Sequence, residues 1–438
     1  MDKVEKQGRL YRMLWRWHFY AGIILLPFII ILSLTGMVYL FKPQIERAID
    51  KPYHNLQLSG AIAPPSAQVA AALKTEPNAQ LRHYEMPEFK NDAPRIYIFS
   101  KGKEYVVYVH PVTLQILKKV PKEGRFMQIA RNIHGELLIG KKGSYIVEAA
   151  ASWAIIMVVS GLYLWWPRNQ KGLGGILYVR GGKNLWRDLH SVTGIYVSVF
   201  AMFFLLSGLP WTDVWGEGFK AVRRATHTMP ERQDWTTSRK EEHNRLMEEM
   251  GHEGHELNAP YYNLSVDDLV AHAKLENLKY PIEIAPPNKK TKNWVLRSQS
   301  QNRTQRIEIE YDAKTGQELK RTPFAKRHII DKVVGVAVAA HEGQLFGPIN
   351  QLLGVLTALA LSLMSVSAFK MWLSRKPNGI LGAPPPIKDQ KIGFGIAFLI
   401  LFFALFLPVL GISLVIVALI ETLILKRIAP VKNWLGIA

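Results

Sequence analysis

An all-α transmembrane bundle of about six spans, duplicated internally in tandem and carrying two small α+β domains outside the membrane, is the fold class this sequence predicts. Three observations predict it: apolar runs of bilayer length, basic residues sorted to one side of those runs, and four histidines that recur in matching local frames.

The spans come first. Apolar runs cover about 19–41, 146–166, 190–210 and 349–373, with a longer final stretch at 393–425, and a bilayer requires roughly 17–25 residues per helix. The final stretch is too long for one ordinary span. Leu407-Pro408-Val409-Leu410-Gly411 sits in its middle, where proline removes a backbone donor and glycine permits a turn, so a hairpin of two short helices is expected.

Charge sets the orientation. Lys3, Lys6, Arg9, Arg12 and Arg16 precede the first span, and Arg168, Lys171, Arg180, Lys183 and Arg187 lie between the second and third. Arg375 and Lys376 follow the fourth, and Lys426 and Arg427 follow the last. The positive-inside rule then puts both termini in the cytoplasm and the long hydrophilic regions, about 42–145 and 211–348, outside. In a bacterium this is an inner-membrane protein with two periplasmic domains. The first apolar run is too long for a signal peptide and lacks a small-x-small cleavage site, so it reads as an uncleaved anchor.

The division that follows is a cytoplasmic N-terminus with span one (1–41), an outer domain (42–133), and spans two and three with their cytoplasmic loop (134–210). A second outer domain (211–340), span four (341–373), and a loop with the C-terminal hairpin (374–438) complete it.

Composition limits the chemistry. Hydrophobic residues make up 48% of the 438, which points to membrane segments before a single soluble core. No cysteine occurs, excluding disulfides, thiol catalysis, cysteine-ligated iron–sulfur clusters and covalent c-type attachment, and leaving histidine as the main soft ligand. The net charge of +20 is not gathered into an aromatic-interleaved tract, so no nucleic-acid partner is expected.

The duplication carries the functional argument. "HFYAG" at His18 answers "HSVTG" at His190, with glycine at +4 and +18 in both: Gly22 and Gly36, then Gly194 and Gly208. At about 100° per residue these positions share one helical face with their histidine, against which a flat cofactor could lie. "HGELLIG" at His134 answers "HEGQLFG" at His341, each shortly before a span and each with arginine at +34, Arg168 and Arg375. The outer regions echo each other too, with a helix-like segment before strand-like alternation, and "DAKTG" at Asp312 aligning with "HPVTL" at His110.

Either inner histidine alone reads equally as an interfacial residue bonded to loop carbonyls; recurrence with both glycines favours ligation. His18 and His190 begin outward-going spans, whereas His134 and His341 precede inward-going ones, so about 20–30 Å of bilayer separates the two levels. The expected pairs are therefore His18 with His190 and His134 with His341. Two imidazoles leave zinc under-coordinated but suit a six-coordinate haem, with no open iron position and hence electron transfer as the task. Two levels make two b-type haems.

Arg12, Arg16, Trp17 and Arg187 inside, and Arg131, Lys141 and Lys142 outside, are candidate propionate partners, with plain interfacial anchoring the competing role. Asp188 reads as a helix cap or as a support for His190. "HEGHE" at His252 has the wrong spacing for H-E-x-x-H zinc binding and reads as a solvated loop. Glu421 is expected to snorkel toward Lys426.

The motifs "WRWHFYAGIILLPFIIILSLTG", "IHGELLIG", "SGLYLWWPR", "LWRDLHSVTGIYVSVFAMFFLLSG" and "FLPVLGISLVIVALIETLILKR", with the two outer regions, resemble the PepSY-associated transmembrane family, the iron-regulated inner-membrane proteins that include ferric-siderophore reductases. The resemblance spans essentially the whole chain. It implies periplasmic PepSY-like domains and a haem-b oxidoreductase that passes electrons outward to a ferric siderophore, releasing iron as Fe(II), with the four histidines as axial ligands. The segment 226–260, rich in Glu, Arg and His, departs from the family pattern. No glycine-rich dinucleotide motif sits between a strand and a helix, so the electron donor is expected to be external, a flavoprotein or quinol. Two other classes compete: a non-redox PepSY-domain binding or regulatory protein, and a siderophore or metal permease, against which the scarcity of charge inside the spans counts.

Overall fold

The computed structural model describes residues 3–167, 172–230, 239–250, 264–288, 291–385 and 392–437. In chain order the helices begin with α1 (Lys3–Leu40), α2 (Lys42–Ile49), α3 (Pro65–Leu73), α4 (Phe126–Glu136), α5 (Lys141–Trp165), α6 (Leu185–Gly208) and α7 (Asp213–Ala225). They continue with α8 (Arg239–Met250), α9 (Val266–Leu275), α10 (Ile329–His341), α11 (Pro348–Arg375), α12 (Phe394–Phe406), α13 (Pro408–Leu423) and α14 (Ala429–Leu435). The strands are β1 (Gln80–Met86), β2 (Arg95–Ser100), β3 (Lys103–Val109), β4 (Ile116–Pro121), β5 (Ile282–Ala285), β6 (Trp294–Ser298), β7 (Ile307–Tyr311) and β8 (Glu318–Pro323).

Two compact units divide the chain. The first, residues 1–37, 132–229 and 352–438, is helical. Among the described residues five helices are long and apolar enough to cross a membrane: Gly8–Leu40, Lys141–Trp165, Gly182–Trp211, Pro348–Arg375 and Pro408–Arg427. Side chains such as Val199 and Leu405, 74% and 73% exposed, are stable in that state only against hydrocarbon.

Of the six expected spans, five have spanning length and the sixth corresponds to the shorter apolar helix α12. The hairpin does form: α12 ends at Phe406, α13 starts at Pro408, and a Cβ on Gly411 would lie 2.9 Å from the Ala404 carbonyl oxygen, an approach a continuous helix forbids. Yet α12 has only 13 residues, about 20 Å of helix against a hydrocarbon core of about 30 Å. The structure therefore carries five helices of spanning length and one short apolar arm.

Within this unit Ile155, Leu209, Leu407 and Leu410 form a buried cluster, and Trp153 donates to Ser413 Oγ at 2.9 Å, tying α5 to α13. Glu148, buried in α5, accepts the amides of Val214 and Trp215 at 2.9 Å each. These are orphan donors of the first turn of α7, so a carboxylate inside a span is spent on capping a neighbouring helix.

The second unit, residues 38–131 and 230–351, is built on one eight-stranded sheet of order β4-β3-β2-β1-β5-β6-β7-β8, antiparallel throughout. The two outer regions expected to form paired small α+β domains share this one sheet. Each half is a four-stranded meander, but β1 pairs with β5, Tyr84 opposite Ile284, and fuses them. Unpaired edges would otherwise be left on both halves.

Strand alternation gives the sheet two unlike faces. Ile96, Ile98, Val107, Ile282, Ile284, Leu296 and Ile309 form the core with Val69 and Ala72 of α3 and Leu269 and Val270 of α9. The opposite face carries a cross-strand row of Arg95, Glu85, Glu283, Arg297 and Glu308. The two α–β units meet again where Asp267 accepts from Ser66 N and Oγ at 2.8 and 2.6 Å.

The aligned turns "HPVTL" and "DAKTG" close in the same way. His110 Nδ1 accepts from the amides of Val112 and Thr113 at 3.2 Å each, and Asp312 Oδ1 accepts from Lys314 and Thr315 at 2.9 and 2.7 Å. A neutral imidazole nitrogen thus does the work of a carboxylate.

Candidate metal centre

His18 lies on α1 and His190 on α6, and their rings stand edge to face with centres 6.4 Å apart and planes at 87°. Two imidazoles bonded on opposite sides of one metal, at about 2 Å each, have ring centres roughly 6 Å apart. The pair predicted from the repeat is brought together at the separation a shared metal requires.

The hydrogen bonds of both rings fall on Nδ1. His190 Nδ1 lies 3.1 Å from the Met364 carbonyl oxygen, which can only accept, so Nδ1 carries the proton and Nε2 keeps its lone pair. His18 Nδ1 is 2.9 Å from Ser160 Oγ, whose own hydroxyl reaches the Met157 carbonyl at 3.3 Å. That leaves the serine oxygen to accept and the His18 Nε2 lone pair free as well.

Sequence reasoning missed Ser160, Met157 and Met364, although a signal existed. Met157 follows His134 by 23 residues and Met364 follows His341 by the same interval. The glycines have a different job from the one expected: a Cβ on Gly22 would lie 3.3 Å from Met157 Cε, and one on Gly194 3.3 Å from Met364 Cε. They admit methionines of neighbouring helices. The glycine that lies against the His18 imidazole is Gly161, where a Cβ would lie 3.3 Å from His18 Cε1. Gly208 is the last residue of α6.

His134, on α4, is held in a similar manner. Its Nδ1 is 3.1 Å from Thr35 Oγ1, whose hydroxyl donates to the Ile31 carbonyl at 2.7 Å. A Cβ on Gly36 would lie 3.1 Å from His134 Cε1, so this glycine does give room to an imidazole. His341 is the last residue of α10. The glycines six residues beyond these histidines, Gly140 and Gly347, have φ of +62° and +60° and directly precede α5 and α11. A left-handed backbone at the start of each helix explains why that spacing carries glycine.

The expected propionate partners are variously placed. Arg16 donates to the carbonyls of Pro384 and Gly436, and its guanidinium lies 5.1 Å from the Tyr20 ring centre. Arg131 meets Glu242 at 3.0 Å. Arg187 is half-buried, Arg12 and Trp17 are exposed, Lys141 sits over Tyr145, and Lys142 is exposed. Asp188 neither caps a helix nor touches His190: fully buried, it takes Arg180 N, Nε and Nη2 at 3.1, 2.8 and 2.9 Å. Gly175, with φ +72°, has no room for a Cβ beside this pair. Glu421 does meet Lys426, at 3.3 Å, and "HEGHE" lies outside the described residues.

Among the described residues no group of three or more His, Cys, Asp or Glu could hold a metal by itself. The donor set is thus two imidazoles with both Nε2 lone pairs available, which fits a metal whose remaining positions come from a macrocycle.

The profile of the PepSY-associated TM region matches residues 15–375. The chain belongs to that family. The match takes in all four histidines of the repeat and ends before the α12–α13 hairpin. No curated protein matches the chain. Membership in the PepSY-associated TM family and five helices of spanning length make this a membrane protein.

Proposed function

We propose that the chain is a bacterial inner-membrane di-haem b oxidoreductase. It takes electrons from an external flavoprotein or quinol on the cytoplasmic side and delivers them to a periplasmic ferric siderophore, which releases Fe(II). The reading includes cytoplasmic termini, a tandem duplication, and two crossings by the C-terminal hairpin. The observation that carries it is the His18–His190 pair, with ring centres 6.4 Å apart and both Nδ1 atoms engaged elsewhere.

Haem b held by two imidazoles supplies reversible one-electron transfer at an iron with no open position. The protein's part is positional. Met364 O and the Ser160 hydroxyl engage the two Nδ1 atoms and so fix the imidazole tautomers, which leaves each Nε2 lone pair free to hold the iron. Helices α1 and α6 bring one ligand each, and the duplicated pattern assigns His134 and His341 to the second haem. No side chain is required as acid or base.

The test is direct. Purified from haem-replete cells, the protein should be red, show a dithionite-reduced minus oxidised b-type spectrum, and contain about two haems per chain, one per proposed histidine pair. A colourless, haem-free preparation refutes the proposal. A reducible haem protein that leaves ferric siderophores unreduced would keep the haem and refute the substrate.

A further inference from the structure

Helix α8 is the described part of the 226–260 insertion, and it lies on the charged face of the sheet. Its Glu242 carboxylate takes both Lys122 Nζ, at 3.1 Å, and Arg131 Nη1, at 3.0 Å. Glu249, seven residues on, pairs with Arg82, so the two carboxylates share one helical face about 10 Å apart. Between them Leu246 and Met250 are buried against Phe99. At 12 residues α8 is at the lower limit of about 12–15 for an isolated helix, so its order depends on this docking.

The surface beneath carries charges of its own. Lys122 meets Glu104 at 2.8 Å, and Lys122, Arg82 and His83 all act on the Glu104 carboxyl, holding it below its ordinary range despite the opposing effect of burial. Arg82 acts on Glu283 as well as on Glu104, and the carboxylates of α8 complete the pairing, Glu249 with Arg82 and Glu242 with Lys122 and Arg131. Beside them His83 stacks on Tyr97, ring centres 4.0 Å apart. It is only 7% exposed, and among the described residues neither of its buried ring nitrogens has a hydrogen-bond partner. Glu283 Oε1 is 3.6 Å from Nε2, beyond hydrogen-bond distance. A buried imidazole left without partners is costly in a purely structural role and useful where an acceptor arrives from outside.

We propose that this face is a binding site for small polycarboxylate anions, formed by Arg82, Lys122, Arg131 and His83, and that α8 is an internal ligand which such an anion displaces. The incoming carboxylates replace those of Glu242 and Glu249 on the same cations, and His83 gains an acceptor. Arginine favours this exchange because its planar donors accept any carboxylate in the same geometry. The site is independent of haem.

Citrate is the probe, with full-length purified protein and sodium chloride at equal ionic strength as the control. Hydrogen exchange of the α8 amides and carbethoxylation of His83, both read by mass spectrometry, report displacement. Citrate should raise α8 exchange at least about tenfold and open His83 to modification, saturably, while chloride does neither. Glu242→Gln/Glu249→Gln should exchange fast without citrate and bind it more tightly; Lys122→Gln/Arg131→Gln should lose the citrate response. Equal responses to citrate and chloride would mean screening alone and overturn the proposal. So would an α8 and a His83 that stay protected through the whole citrate range in the wild-type protein, a result that stands whether or not the variants fold.

Discussion

The helical unit and the sheet unit both bury polar groups, but in opposite ways. In the bundle the three imidazoles and Asp188 are each held by one residue: His190 by the Met364 carbonyl, His18 by Ser160, His134 by Thr35, and Asp188 by the backbone and side chain of Arg180. On the sheet the groups share partners. Asp50 takes Tyr108 Oη, Arg125 and Arg95 at 2.8, 3.1 and 3.3 Å, and Lys122 serves both Glu104 and Glu242. Single partners fix direction, which a ligand atom needs; shared partners distribute charge, which a water-facing platform needs.

Removing one partner from each unit tests that contrast. Arg180→Ala leaves the buried Asp188 carboxylate without its hydrogen-bonded arginine, and the larger loss of the two is expected in denaturant unfolding, moderated by the solvent that reaches Arg180. Arg125→Ala leaves Asp50 with Tyr108 and Arg95, so its cost should be about 1 kcal/mol. Equal costs would break the comparison.

The exception on the sheet, His83, gives a pH signature. Burial pushes its imidazole down to about 4, while in the unfolded chain it titrates near 6.5. The depressed group favours folding fully above about 6.5, and that contribution is lost as pH falls toward the folded value, because the unfolded chain then binds the proton first. About 2 kcal/mol should disappear between pH 7 and 5. His83→Phe should flatten this limb in hydrogen exchange of the β1 and β2 amides; an unchanged slope would assign the effect elsewhere.

A smaller effect separates the two turns. Asp312→Ala removes an acceptor for two amides and should cost about 1 kcal/mol. His110→Asp, by the same geometry, should be tolerated, as thermal unfolding of the two variants can show.

Five of the spans were legible because lipid demands long apolar runs, and the nearness of His18 and His190 because the two stretches around them share a local frame. Pro408 marked the hairpin turn correctly, yet nothing in an apolar stretch says whether 13 residues of α12 complete a crossing. The β1–β5 junction was not legible, since Tyr84 and Ile284 are 200 residues apart and hydrophobic alternation does not name a strand's neighbour. The docking of α8 escaped for the same reason: Glu242 finds its cations at Lys122 and Arg131. The neighbours of the span glycines were not legible either: Met157 lies against Gly22 and His134 against Gly36, and periodicity gives direction and not the identity of what lies there.

The central claim is that His18 and His190 are the two axial ligands of one haem. Electron paramagnetic resonance of the oxidised protein tests it most directly, in wild type and in His18→Ala and His190→Ala. Ring planes at 87° predict a strongly anisotropic low-spin ferric signal, and each variant should lose that same signal while the other haem's signal persists. Loss of two different signals by the two variants, or a signal that survives both, would contradict the account.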